Sequence, residues 1–88
     1  MTSPDRRRRK FDRICQKRCK NVKFDELCSL LEMHDWTLDR IARGNHYIYV
    51  HPDYEGIVNI PKPHKDPDVK PVYCRHALRA IEEVAEYE

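Results

Sequence analysis

Arg43-Gly44-Asn45-His46-Tyr47-Ile48-Tyr49-Val50-His51-Pro52 runs into Asp53-Tyr54-Glu55-Gly56, and then into Ile57-Val58-Asn59-Ile60-Pro61-Lys62-Pro63-His64. Two β-rich runs joined by an Asp/Gly turn are the pattern of a hairpin. Gly44-Asn45 marks a turn into the first run, and His46 stands directly after it. In the run His46–His51, Ile48 and Val50 share the parity of His46, while Tyr47 and Tyr49 take the opposite face. A histidine at a strand start, beside a flexible glycine and the cations Arg40 and Arg43, is well placed for proton transfer. The plainer reading is a turn histidine that bonds the backbone.

Working outward, Trp36–Ala42 reads as the strand before this hairpin. Trp36, Leu38 and Arg40 fall on one face, and Thr37, Asp39 and Ile41 on the other. Short strands in succession with tight turns predict an antiparallel meander. Phe24, Leu27, Cys28 and Leu31 lie at i, i+3, i+4 and i+7, which predicts a helix over Lys23–Asp35. Asp25 and Glu26 suit its first turn, and His34-Asp35 ends it. Pro61–Pro71 holds four prolines, which exclude a helix or a central strand there. Val72–Tyr87 is the last predicted helix, with Cys74, Ala77, Leu78, Ile81 and Ala85 as its apolar face. Its end, Glu82, Glu83, Glu86 and Glu88, opposes its own dipole. Upstream, Phe11, Ile14, Cys15 and Cys19 predict an amphipathic helix over Arg6–Lys20 with a basic outer face, capped by Asp5 and ended by Asn21. It either docks through Phe11 and Ile14 or stays loose until a partner binds. The fold class is α+β, with two helices on one face of a small sheet and the other face open.

The 88 residues suit one domain, which at this size buries only roughly 60% of its unfolded surface. No apolar run approaches the roughly 18 residues of a membrane span. Arg6–Lys10 is basic, but no apolar segment follows it, so it does not read as a secretory signal. The net charge of +2 hides a division: residues 1–23 carry ten Lys/Arg against two Asp, and residues 24–88 carry seven Lys/Arg against thirteen Asp/Glu. The chain divides into a basic arm, 1–22, and a domain, 23–88. The arm either meets polyanions or acts as a solvated tail. Cys15, Cys19, Cys28 and Cys74 lack a paired C-x2-C spacing. They read as reduced thiols packed as small apolar residues; the alternative is a zinc site in which Cys15 and Cys19, four apart on one helix face, are joined by Cys28, Cys74 or a histidine, and the spacing favours no metal.

One resemblance covers most of the domain. Phe24-Asp25-Glu26-Leu27 and Leu30-Leu31-Glu32 come first, then Trp36 and Arg40. The strongest block is Gly44-Asn45-His46-Tyr47-Ile48-Tyr49 with His51-Pro52. Val58, Pro61 and His64 follow, then Leu78-Arg79 and Ile81. In order and spacing these blocks resemble the HicA toxins, the mRNA interferases of HicAB toxin–antitoxin pairs. The resemblance implies a double-stranded-RNA-binding-domain-like α-β-β-β-α fold, here with an extra basic N-terminal helix or arm. It implies a metal-independent, cytoplasmic endoribonuclease that cleaves mRNA, needs no cofactor and is covered by a HicB-type antitoxin. It places the catalytic histidine at His46. The sequence departs from the family at Asp35, where a glycine is usual, and at Val72-Tyr73-Cys74, where the family has a glycine-threonine helix start. The acidic body and the arm are further departures.

RNA carries its own nucleophile, the ribose 2′-hydroxyl. Cleavage then needs a proton acceptor, charge neutralisation at phosphorus and in-line geometry. Histidine suits the first task because its unperturbed pKa lies near about 6.5. The candidate RNA contacts are Arg40, Arg43, Gly44, Asn45, Tyr47, Lys62 and His64, with Lys65 beside them. His64 is also a candidate second histidine for a base–acid division of labour. Tyr47 and Tyr49 either stack on bases or fill a sheet face. Two other functions suit the same fold: a non-catalytic RNA-binding module, or a protein-interaction module that has lost RNA binding.

Overall fold

The computed structural model describes residues 5–86. Helix α1 spans Asp5–Gln16 and α2 spans Phe24–Met33. Strands β1 (Thr37–Ala42), β2 (His46–Val50) and β3 (Val58–Pro61) follow, and α3 spans Pro71–Val84. The three strands form an antiparallel sheet in the order β1-β2-β3. This is the expected α-β-β-β-α arrangement preceded by a helix.

The β2–β3 register pairs Tyr47 with Ile60 and Tyr49 with Val58. Opposed residues in antiparallel strands share a face, so these four form the face beneath the helices. Tyr49, Val58 and Ile60 are buried with Leu27, Leu30 and Leu31 of α2 and with Cys74, Ala77 and Ile81 of α3. The opposite face carries His46, Ile48 and Asn59. Ile48 is only 5% exposed there, because it sits on the central strand between neighbours on both sides.

Strand β1 departs from simple alternation. Leu38 opposes Tyr49 and Arg40 opposes Ile48, so Asp39 is an extra residue and a bulge. One inserted residue reverses the parity beyond it. Leu38 and Ile41 therefore share the tyrosine face, and Arg40 joins Ile48 on the open face. Leu38 and Ile41 remain exposed, because β1 is an edge strand.

Turns explain the other boundaries. Asp35 adopts φ +70°, a left-handed geometry that Asp tolerates better than most residues with a side chain, so it can turn the chain out of α2 towards β1. Trp36 is buried just before β1, with the rings of His51 and Tyr54 at 5.3 and 5.2 Å. The segment between β2 and β3 is thus a packed loop rather than a tight turn, with the Tyr54 N–H donating to the His51 carbonyl. Helix α1 stops at Gln16, short of the predicted Lys20, because Arg18, Cys19 and Asn21 all take positive φ. That turn costs about 1 kcal/mol or more per residue and is held by burial of Cys19 and Val22. Helix α3 stops at Val84 with no basic residue in its last turn. The carboxylates of Glu82 and Glu83 oppose the dipole there, so the helix ends before the predicted Tyr87, which itself lies outside the described residues. Residues 1–4, before the predicted cap at Asp5, lie outside them as well.

The arm helix belongs to the same core. Phe11 and Ile14 are buried in one cluster with Leu27, Trp36 and Ile81. Lys17 Nζ bonds both oxygens of Glu26 at 3.2 Å, and Glu26 also accepts the Lys23 N–H that opens α2. Lysine cannot complete a reciprocal cap, since it offers no acceptor. The proline-rich segment is tied back to the same place: the Val69 N–H donates to the Val22 carbonyl at 2.8 Å. Among the described residues no three His, Cys, Asp or Glu side chains are placed to hold a metal ion. Burial raises the Cys28 and Cys74 thiols above their ordinary range.

Candidate active site

His46 opens β2. The turn before it runs through Arg43 at φ +54° and Gly44 at φ +81°. A Cβ on Gly44 would meet nothing within 4 Å, so glycine serves the backbone angle there and not the space. The far side of the turn is closed by the Lys62 N–H donating to the Asn45 carbonyl at 2.7 Å. This bond joins the start of β2 to the end of β3 and fixes where His46 stands. Its Nδ1 lies 3.2 Å from Oδ1 of Asn59.

The half-buried imidazole separates two concavities. The larger, about 450 Å³, is lined by Asn45, His46, Lys62, His64, Lys65, Lys70 and Tyr73, and also by Asp66 and Asp68. The smaller, about 240 Å³, is bounded by Ala42, Arg43, His46, Ile48, Ile57 and Asn59. In the larger cleft the carboxylates are already engaged. Asp68 takes Lys23 Nζ at 3.3 Å, and Asp66 accepts the Asp68 N–H at 3.1 Å. Lys62 Nζ stands 5.7 Å from the centre of the Phe24 ring. The start of α3 also borders this cleft, with Lys70 as N-cap and Pro71 in its first turn. The positive helix end adds to the lysines.

Other acidic side chains lie away from the cleft. Helix α3 leaves the cleft at Lys70 and carries Glu82 and Glu83 at its other end. Asp53 and Glu86 meet at a separate depression by His51, at the opposite end of β2 from His46. Around His46 the cations therefore outnumber the carboxylates, Arg43, Lys62, Lys65 and Lys70 against Asp66 and Asp68, although the body as a whole is acidic.

Of the residues singled out in the sequence, His46, Asn45, Lys62, His64 and Lys65 come together in the larger cleft, and Arg43 meets His46 at the smaller one. Gly44 supplies the turn between them. Arg40 borders neither concavity, and its guanidinium pairs with Asp39. Tyr47 faces the helices, with its ring edge-on to Phe24 at 4.9 Å. Asn59, Lys70 and Tyr73 were not singled out. Asn59 has a sequence signal in its position on the strand after the hairpin turn. Lys70-Pro71 has one in proline's preference for the first helical position.

A model of the family described as the HicA toxin of bacterial toxin–antitoxin systems matches residues 24–82. The chain belongs to the HicA toxin family. The matched segment holds His46, Asn59 and every lysine of the cleft, and α1 lies wholly outside it. Membership implies an antitoxin partner. Neither a curated protein nor a solved structure gives a match. Among the described residues no helix is long and apolar enough to cross a membrane.

Proposed function

We propose that this HicA-family chain is a metal-independent endoribonuclease that cleaves mRNA in the cytoplasm, with His46 as its general acid/base and a HicB-type antitoxin as its restraint. The observation that carries this reading is the position of His46 on the wall of a cationic cleft. Lys62, Lys65 and Lys70 line that cleft and would neutralise the phosphate undergoing attack.

His46 removes the proton from a ribose 2′-hydroxyl. The 2′-oxygen bonds to phosphorus and the bond from phosphorus to the 5′-oxygen breaks. The leaving oxygen takes up a proton, which His64 or the protonated His46 can supply. The products are a 2′,3′-cyclic phosphate and a 5′-hydroxyl. The antitoxin reading draws on Ile57, which is 41% exposed at the smaller concavity. A partner seated there would cover an apolar side chain and the imidazole together.

His46→Ala tests the reading. A half-buried residue at a turn contributes little to the core, so the melting midpoint should stay nearly unchanged. RNA cleavage and growth arrest should both disappear. Wild-type cleavage should persist in excess EDTA and leave cyclic phosphate ends. A folded His46→Ala protein that cuts RNA at the wild-type rate would sink the proposal.

A further inference from the structure

Asn59 and His46 are diagonal neighbours on the open face of the sheet. Asn59 opposes Ile48, two residues along β2 from His46. The contact is specific: Oδ1 of Asn59 lies 3.2 Å from Nδ1 of His46, and among the described residues the imidazole has no other hydrogen bond. A neutral imidazole has one N–H donor and one bare nitrogen acceptor. Which nitrogen carries the proton is set by the bond that the other ring nitrogen makes. An amide oxygen can only accept, so Nδ1 must donate to it, and Nε2 is left with its lone pair.

We propose that Asn59 is a positioning residue that holds His46 in the Nδ1–H tautomer, so that Nε2 is the nitrogen that takes the ribose proton. The second half of this statement rests on the reading of His46 as the catalytic base. The first half stands without it.

The charged neighbours do not compete for this role. Arg43 faces His46 from the smaller concavity, and Lys62, Lys65 and Lys70 from the larger. All are donors and cannot accept from Nδ1. Asp66 and Asp68 border the larger cleft, where they take the Asp68 N–H and Lys23, and neither makes a hydrogen bond to His46 among the described residues. His64 borders the same cleft and makes no hydrogen bond to His46 among the described residues. Asn59 thus gives His46 the orientation that a carboxylate gives histidine in a hydrolytic triad, without placing a negative charge next to it.

The test uses the full chain with 15N-labelled histidine, at about pH 8.5, above the ordinary histidine range. Two-bond proton–nitrogen spectra read the tautomer directly. The wild type should show His46 protonated at Nδ1. Asn59→Leu removes the acceptor and should lose this preference, with kcat falling about 10- to 100-fold, as when other orienting partners are removed, and KM holding. Asn59→Asp keeps an acceptor oxygen in place and should keep the Nδ1–H tautomer. Should Asn59→Leu fail to fold, Asn59→Ala carries the same test. An Nε2–H wild-type tautomer, or a tautomer unmoved by loss of the acceptor, overturns the proposal. The spectra stay decisive even if His46→Ala proves active, so the two ideas fail separately.

Discussion

Arg6, Arg9 and Arg13 stand on the exposed side of α1, three and four residues apart, opposite the buried Phe11 and Ile14. None of the three has a hydrogen bond or ion pair among the described residues. Two other arginines are occupied: Arg7 donates to the Glu86 carbonyl, and the exposed Arg8 reaches Asp12 of the same helix. The arm thus presents Arg7 to the body and Arg6, Arg9 and Arg13 to solvent. If the solvent set contacts RNA, each contact contributes about −0.7 to the slope of log affinity against log salt on single strands. Replacing all three by Gln should flatten the slope by about 2. Between about 50 and about 200 mM salt, that difference amounts to roughly 20-fold in affinity. The assay is fluorescence anisotropy of a labelled single-stranded RNA, in a His46→Ala background so that the RNA stays intact. The melting midpoint should hold within about 0.5 kcal/mol, as for surface substitutions generally. In the active protein the sites of cleavage should not change, because phosphate contacts position without reading sequence. A salt slope equal to that of the unsubstituted protein would refute the RNA role. The arm would then serve the body alone, through Phe11, Ile14 and Arg7.

Two further outcomes concern stability. Ile14 is fully buried, so Ile14→Ala should cost about 3 kcal/mol and lower the melting temperature by roughly 12–24 °C for a domain of this size. A fall of only a few degrees in thermal denaturation would mean that α1 is not docked. His34 is buried against Phe11, with Nδ1–H donating to the Leu30 carbonyl at 2.9 Å, and burial holds its pKa below the ordinary value, with Arg7 adding to the effect. The unfolded chain therefore takes up a proton near about pH 6.5 that the folded protein resists. Stability should be full above that pH and decline as pH falls below it. Urea titrations at pH 7.5 and about 5.5 should show the decline, and His34→Gln should reduce it. A midpoint equally pH-dependent in the variant would place the effect on other groups.

Local patterns in the sequence were enough for the element order. The 3–4 spacing of Phe24, Leu27, Cys28 and Leu31 survives as the inner face of α2, and the tyrosine parity of β2 survives as the helix-facing side of the sheet. What failed was any inference that crossed an irregularity. The bulge at Asp39 has no marker such as glycine, so the alternation of Trp36–Ala42 gave the wrong partners for Leu38 and Arg40. In the left-handed turn at Arg18–Asn21 only Asn21 carried a local signal; Arg18 and Cys19 had none, because the burial of Cys19 and Val22 selects their geometry.

The site divides along the same line. His46 was legible because a histidine after Gly44 is a local feature, and the lysines of 62–65 because they follow the hairpin directly. The Asn59 contact depends on register, and register depends on the length of the loop from His51 to Ile57, which a turn signal at Asp53–Gly56 does not fix. A slip of one residue would move Asn59 to the tyrosine face and leave His46 without an acceptor. Lys70 and Tyr73 reach the cleft only because Val69 is bonded to Val22, so that the start of α3 returns to the end of β3. That return also resolves the charge. Since α3 begins at the cleft and rises about 1.5 Å per residue, its acidic end is carried roughly 20 Å away. That distance exceeds a Debye length of about 8 Å at physiological salt. The glutamates at the end of α3 are therefore screened from the phosphate that the cleft would hold, Asp68 within the cleft is paired with Lys23, and net charge is the wrong quantity by which to judge its affinity for RNA.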